Sequence, residues 1–306
     1  MDPALAASGL AVGLLVGLTG VGGGSLMTPL LILFFGIKPV FAVGTDLAYG
    51  AVTKTAGGIK HLRQGTVDVR LSWWMALGSV PAAVGGVWVL DLIEPSLEDS
   101  FDDTLLAMVS GAVLFAGIAV LARAFLPARL IGAERESVPL HGRHRAAAVV
   151  VGAFVGLILG VTSVGSGALI GVALVLLFRL VPLRVVGTDV FHAAILLWAA
   201  ALAHIVSGNV DFALAGNLIV GSVPGVWIGS HAAPRLRVGA LRGVLALVLV
   251  ASGIALAARA GWGPSLVSLA VCAVPSVVFV TWMVRRRPRL PLGVGDRFPN
   301  VHEASP

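Results

Sequence analysis

Charge is what this chain has least of: only 12% of its 306 residues are Asp, Glu, Lys or Arg, against 58% hydrophobic, and the mean hydropathy is +0.98. That scarcity excludes a soluble globular domain, in which roughly a quarter of the residues are charged. There is one cysteine, Cys272, which rules out a disulfide framework within the chain. No HExxH, no paired cysteines and no clustered carboxylates occur, so neither a metal site nor a hydrolytic enzyme is indicated. Gly22-Gly23-Gly24-Ser25 lacks the Gly-Lys-Ser/Thr ending of a phosphate-binding loop, and nothing points to ATP or another cofactor. The net charge of +6 sits in connections and tail, where it reports membrane topology and not nucleic-acid binding.

What is present is apolar sequence in long runs, at about 4–36, 41–60, 71–91, 104–126, 146–178, 184–206, 212–232, 240–260 and 265–284. Most approach the ~20 residues that a helix needs to cross ~30 Å of hydrocarbon. The first run lacks a basic flank and is not read as a cleaved signal peptide. An all-α polytopic membrane protein follows, with membrane lipid as its surroundings.

The runs repeat. Val43-Gly44-Thr45-Asp46 returns as Val186-Gly187-Thr188-Asp189, and shifting residues 17–86 forward by 143 without a gap matches more than a third of the positions. Gly22 aligns with Gly165, Gly24 with Gly167, Pro39 with Pro182, His61 with His204, and Gly78-Ser-Val-Pro81 with Gly221-Ser-Val-Pro224. A duplicated apolar unit with one acidic residue per copy at membrane depth is a common construction of secondary transporters.

Two runs, 4–36 and 146–178, are too long for a single span and are interrupted by glycine at 20–25 and 164–167. Glycine at that density breaks a helix. The limbs are about 16 and 13 residues, each too short to cross alone, so each long run is either one kinked span or a re-entrant hairpin. Loop charge favours the hairpin. The 60–70 connection carries Lys60, Arg63 and Arg70 while its counterpart 203–213 has no Lys or Arg; the 91–103 connection is acidic while its counterpart carries Arg235, Arg237 and Arg242. By the positive-inside rule the two copies are inverted relative to each other. The expected organisation is a first repeat at 1–126, a basic cytoplasmic linker at 127–145, a second repeat plus a C-terminal span at 146–284, and a cytoplasmic tail at 285–306. Each repeat is a broken hairpin plus three spans.

Irregular backbone at membrane depth is tolerated only inside protein or beside a wet cavity. Two hairpins entering from opposite faces bring Gly22, Gly23, Gly24 and Ser25 together with Ser163, Gly165, Ser166 and Gly167. Free N–H groups at the start of each second limb, with the serine hydroxyls, form an anion site; the alternative is that these glycines only allow close helix packing. Along 41–60, Asp46, Gly50, Thr53 and Gly57 share a stripe flanked by Tyr49 and Lys54. In the second copy His192 stands where Tyr49 stood and Leu197 replaces Lys54. Intramembrane charge is costly and usually functional, so Lys54 is a candidate anion contact. Asp46, Asp189 and His192 are candidate proton carriers, or Thr45-Asp46 and Thr188-Asp189 cap the starts of their own helices. His61 and His204 are expected at interfacial connections, bonded to backbone.

In these residues the chain resembles the sulfite exporter TauE/SafE family: the glycine-rich break, the turn at Pro39, Val-Gly-Thr-Asp-Leu at 43–47, Thr53-Lys54, His61 and Gly65-Thr-Val-Asp68, recurring at 186–189, His192, His204, Gly208-Asn-Val-Asp211 and 221–224. The resemblance covers roughly residues 8–260. It implies a bacterial inner-membrane permease that exports sulfite or organosulfonates by proton-coupled transport. Where many members carry serine this chain has Asp46 and Asp189, which points to a different anion or a different coupling ion. Other small anions (thiosulfate, sulfate, carboxylate), a channel-like pathway and uptake instead of export stay open, as does a homodimer.

Overall fold

The computed structural model describes residues 3–19, 23–97, 100–125, 135–232 and 238–261. Gly22, Cys272, the run 265–284, the tail 285–306 and residues 127–134 of the linker lie outside the described residues. Among the described residues are ten α-helices: α1 (Pro3–Thr19), α2 (Gly24–Phe35), α3 (Pro39–Arg63), α4 (Val69–Leu97), α5 (Phe101–Phe125), α6 (Gly142–Thr162), α7 (Leu169–Leu176), α8 (Pro182–Val206), α9 (Phe212–Ala232) and α10 (Val238–Arg259). Five of them, α4, α5, α6, α8 and α9, contain stretches long and apolar enough to cross a membrane. At 25 residues α3 is as long as α8 but falls outside that group, because Asp46, Lys54 and Lys60 lower its hydropathy.

Both long runs are broken at their glycines, as expected, but the limbs are not equally short. α1 has 17 residues and α2 has 12. α6 has 21 and is long enough to cross, which corrects the expectation of two short limbs. It begins at Gly142, inside the segment expected to be linker. Its first turns leave the apolar zone with their hydrogen bonds intact, and the Arg145 guanidinium lies 5.2 Å over the Trp74 ring. The limbs of one break touch each other only slightly: α1 lies along α9, and α2 against α3 and α10.

The 143-residue shift reappears in the packing. Gly9, Gly13 and Gly17 of α1 face Leu218, Ser222 and Val226 of α9, where a Cβ would stand 2.4–2.6 Å from a backbone carbonyl oxygen. Gly152, Gly156 and Gly160 of α6 meet Met75, Ser79 and Ala83 of α4 at 2.1–2.4 Å, and every partner is the shifted equivalent. Small residues every fourth position let the backbones touch, a device suited to a membrane, where apolar side chains gain little by leaving lipid. The seams α1–α9 and α4–α6 run parallel. The counterparts α3 and α8 run antiparallel: Gly44 faces His204, Gly50 faces Leu197 and Gly57 faces Val190. So do α5 and α10, where Gly117 meets Val250 and Gly253 meets Leu114. Two hydrogen bonds join equivalent positions, Trp198 Nε1–H to Thr55 Oγ1 at 2.8 Å and Ser110 Oγ–H to the Gly253 carbonyl at 2.8 Å. Each of these bonds joins a residue to its own counterpart 143 positions away.

Candidate functional site

A cavity of about 270 Å³ lies where the two broken segments meet. The first break contributes Gly23 and Gly24, the second Ser163 and Ser166, and one face of α3 supplies Asp46, Tyr49, Gly50, Thr53, Lys54, Gly57, Lys60 and His61. The far wall is apolar, with Val190 and Leu197 from α8 and Val223, Val226 and Trp227 from α9. The α3 face is the expected 46–50–53–57 stripe continued one turn further. Lys60 is exposed and marks the mouth, while Lys54 is buried at 6% exposure. The ammonium of Lys54 makes no hydrogen bond or salt bridge among the described residues; Asp189 is near enough to attract it.

The tips touch. A Cβ at Gly24 would stand 2.3 Å from the Ser163 carbonyl oxygen, 2.9 Å from its Oγ and 3.3 Å from Asp46 Oδ2. A Cβ at Gly23 would stand 2.5 Å from the Tyr49 hydroxyl. At Gly24 glycine is what the position allows, because backbone oxygen cannot yield as a flexible side chain can. Ser163 ends α6 in the left-handed region at φ 61°, costly for a residue with a Cβ, and its hydroxyl donates to Asp46 Oδ2 at 2.8 Å. Thr28 Oγ1–H donates to the same oxygen at 2.5 Å. Asp46 Oδ1 is buried with no hydrogen-bond partner among the described residues.

Asp46 and Asp189 do not cap their own helices, the reading that their position after a loop suggested. The helices begin at Pro39 and Pro182, so both aspartates lie about two turns inside. Each reaches sideways to a break: Asp46 to Thr28 and Ser163, Asp189 to the N–H of Gly167 at 3.0 Å. That last bond corrects a second expectation, since the Gly167 amide is occupied by carboxylate and not open to an anion. Gly165 packs on Val155 and Leu159 of α6. Neither it, Gly167 nor Ser25 lines the cavity. Of the expected contacts, Gly23, Gly24, Lys54, Ser163 and Ser166 are brought together there.

The threonines bind across the repeats. Thr45 Oγ1 accepts the N–H of Asp211 at 3.0 Å, and Thr188 Oγ1 accepts that of Asp68 at 2.9 Å. Gly44 and Gly187 admit the backbones of Asn209 and Thr66. The true N-caps are Asp68 and Asp211, whose Oδ1 atoms accept the N–H of Leu71 and Leu214. Their signal was an aspartate three residues ahead of a leucine in an apolar run. Because Asp68 is buried and Asp211 exposed, Thr188→Val is expected to cost about 1–3 kcal/mol and Thr45→Val about half that. Thermal unfolding of the two variants checks the order.

His192 is fully buried, its Nε2 3.3 Å from Ser79 Oγ. His204 is buried too, in the last turn of α8, with Nε2 2.9 Å from the Gly160 carbonyl, the backbone bond expected of it. His61 lines the cavity and its Nδ1 lies 2.9 Å from Thr66 Oγ1. The cavity therefore opens at the first copy's histidine, while the second copy's is packed in. Thr28 and Lys60 were missed: no local pattern links residue 28 to residue 46, and Lys60 reads as an ordinary interfacial lysine.

Residues 5–256 match the family described as Sulfite exporter TauE/SafE. The chain is 39% identical over 256 residues to the probable membrane transporter protein YjnA of Bacillus subtilis (strain 168), an alignment covering 84% of this chain and 100% of that protein. It is 27% identical over 221 residues to the probable membrane transporter protein YdhB of the same organism, 72% of this chain and 85% of that one. A probable membrane transporter protein of Xylella fastidiosa (strain Temecula1 / ATCC 700964) is 28% identical over 250 residues, 81% of this chain and 91% of that one. No solved structure matches the chain.

Proposed function

The chain belongs to the sulfite exporter TauE/SafE family of membrane transporters, and on that premise we propose that it moves a small sulfur oxyanion or organosulfonate across the bacterial cytoplasmic membrane by alternating access between two inverted halves. The observation that carries this reading is the cavity in which both breaks and Lys54 converge. The anion sits against Lys54 and the start of α2, where the first N–H groups of a helix lack partners and its dipole is positive. Ser166 adds a hydroxyl from the second break.

The antiparallel packing of α3 on α8 and of α5 on α10 supports the inversion, because those helices are each other's counterparts. The basic connection after α3 assigns the cavity mouth, with Lys60 and His61, to the cytoplasmic side. Opening toward the cytoplasm suits loading for export. Asp46 carries the coupling charge, a proton in the simplest case, since Asp189 is bonded to Gly167 and His192 lies sealed against Ser79. The linker 127–145 and the tail 285–306 stay on the cytoplasmic side.

The test is a panel of sulfite, thiosulfate, sulfoacetate, sulfate and small carboxylates, read by thermal stabilisation of the purified protein and by flux into proteoliposomes. A true substrate at a hundredfold excess over its Kd stabilises by about 2.7 kcal/mol. Gly23→Leu, which drives a side chain into the Tyr49 hydroxyl and the cavity, is expected to abolish both signals in a folded protein. Stabilisation by carboxylates alone would move the substrate class, and stabilisation by none would end the reading.

A further inference from the structure

The crossing point of the two breaks is electrically lopsided. α6 ends at Ser163, so its last carbonyls and the negative end of its dipole face the crossing. Beside them sits the Asp46 carboxylate, at 1% exposure. Two sources of negative potential thus share one buried spot, offset only by the partial positive charge at the start of α2, and no Lys, Arg or His forms an ion pair with Asp46 among the described residues. Lys54 lies about two turns further along α3, where its attraction is to Asp189. The two hydroxyls on Oδ2 satisfy one carboxylate oxygen, and among the described residues Oδ1 has no hydrogen-bond partner. Ser25, three residues before Thr28 and so on the same face of α2, carries another buried oxygen that has no hydrogen-bond partner among the described residues. A buried carboxylate in such surroundings takes up a proton or holds a cation, and an oxygen-lined spot at a helix C-terminal end favours the cation.

From this geometry we infer that Asp46, Ser25, Thr28 and the Ser163 end of α6 form a binding site for an alkali cation, sodium by preference, which couples to anion transport. The inference rests on the transport reading above and replaces its simplest coupling ion. The donors are one carboxylate with hydroxyl and carbonyl oxygens, all hard, and they supply a single formal charge, which suits a monovalent cation. The described residues hold no cluster of three or more His, Cys, Asp and Glu. Unwound backbone and the C-terminal end of a half-helix are where transporters hold such ions. The site also explains coupling. A cation bridging Asp46 and the Ser163 carbonyl fastens the second break to the first, completing the floor on which the anion rests, so anion affinity rises with cation occupancy.

The experiment uses the purified full-length protein in sodium, potassium or N-methylglucamine gluconate at equal ionic strength and pH, with thermal unfolding and ²²Na⁺ binding as readouts. Sodium at a hundredfold excess over its Kd is expected to raise the Tm by about 5 °C, with potassium and N-methylglucamine giving little. Asp46→Asn, which keeps an acceptor for Thr28 and Ser163, should abolish ²²Na⁺ binding. Ser25→Ala is expected to weaken it about tenfold and serves if the first variant folds poorly. A protein stabilised by an anion of the panel but indifferent to sodium overturns the inference and leaves the transport reading standing; indifference to every ion overturns both. Sodium binding that survives Asp46→Asn and Ser25→Ala unchanged also overturns it.

Discussion

Lys54→Met is expected to lower anion affinity and flux by two to three orders of magnitude while leaving the fold intact. Lys54 is the buried cation of the cavity, and no hydrogen bond or salt bridge ties its ammonium among the described residues, so its removal breaks no structural bond. An anion deep in that cavity would then stand against Val190, Leu197 and Val223 with no buried countercharge, Lys60 being out at the mouth. Stripping one partner from a buried charge pair costs about 3–5 kcal/mol, which gives the expected factor. Lys54→Arg retains the charge on a different geometry and should recover part of the loss. Uptake of the best panel anion into proteoliposomes, alongside the Tm of each variant, reads the result. Unaltered flux in Lys54→Met would place the anion elsewhere.

The second large effect concerns assembly. Gly156→Leu is expected to destabilise the protein by more than about 4 kcal/mol, a size reserved for core overpacking and comparable disruptions. At Gly156 a Cβ would stand 2.2 Å from the Ser79 carbonyl oxygen and 2.6 Å from its Cα. Both are backbone of α4, so relief comes only by parting the seam. The same α4 turn sets Ser79 against His192, and the disturbance therefore reaches α8. Gly85 in α4 is the control: nothing stands within 4 Å of its Cβ position, and Gly85→Ala should stabilise by about 1 kcal/mol through helix propensity alone. Size-exclusion profiles and thermal unfolding in detergent distinguish the two.

The spans were legible because a membrane imposes a length and a composition that few other environments share, and the duplication was legible because 143 separates so many identical pairs. The seams were also written plainly, as glycine every fourth residue at 9, 13 and 17 and at 152, 156 and 160. That spacing announces close helix contact but names no partner helix. The start of α6 was read too late because Arg143, His144 and Arg145 resemble linker, although a helix continues through the interface when its backbone bonds stay closed. At the site, glycine density correctly marked the two tips. What sequence could not carry was the destination of each side chain. Asp46 finds Ser163, 117 positions away, and Thr188 finds the amide of Asp68, 120 away. The retained Gly-Thr-Asp looked like a site or a cap, whereas its three residues respectively admit the other repeat's backbone, accept one of its amides, and hold a break in place.

The bonds between Thr55 and Trp198 and between Ser110 and Gly253 have a historical meaning as well as a structural one. In an isologous homodimer of half-length chains, positions on the axis face their own copies, so both sides must carry the same residue. Thr with Trp and Ser with Gly are pairings that such a dimer can never make, and only a fused chain can tune the two sides independently. The same freedom gave Tyr49 the counterpart His192 and Lys54 the counterpart Leu197. One gene carrying both halves is therefore what allows a near-symmetric scaffold to hold a one-sided charge.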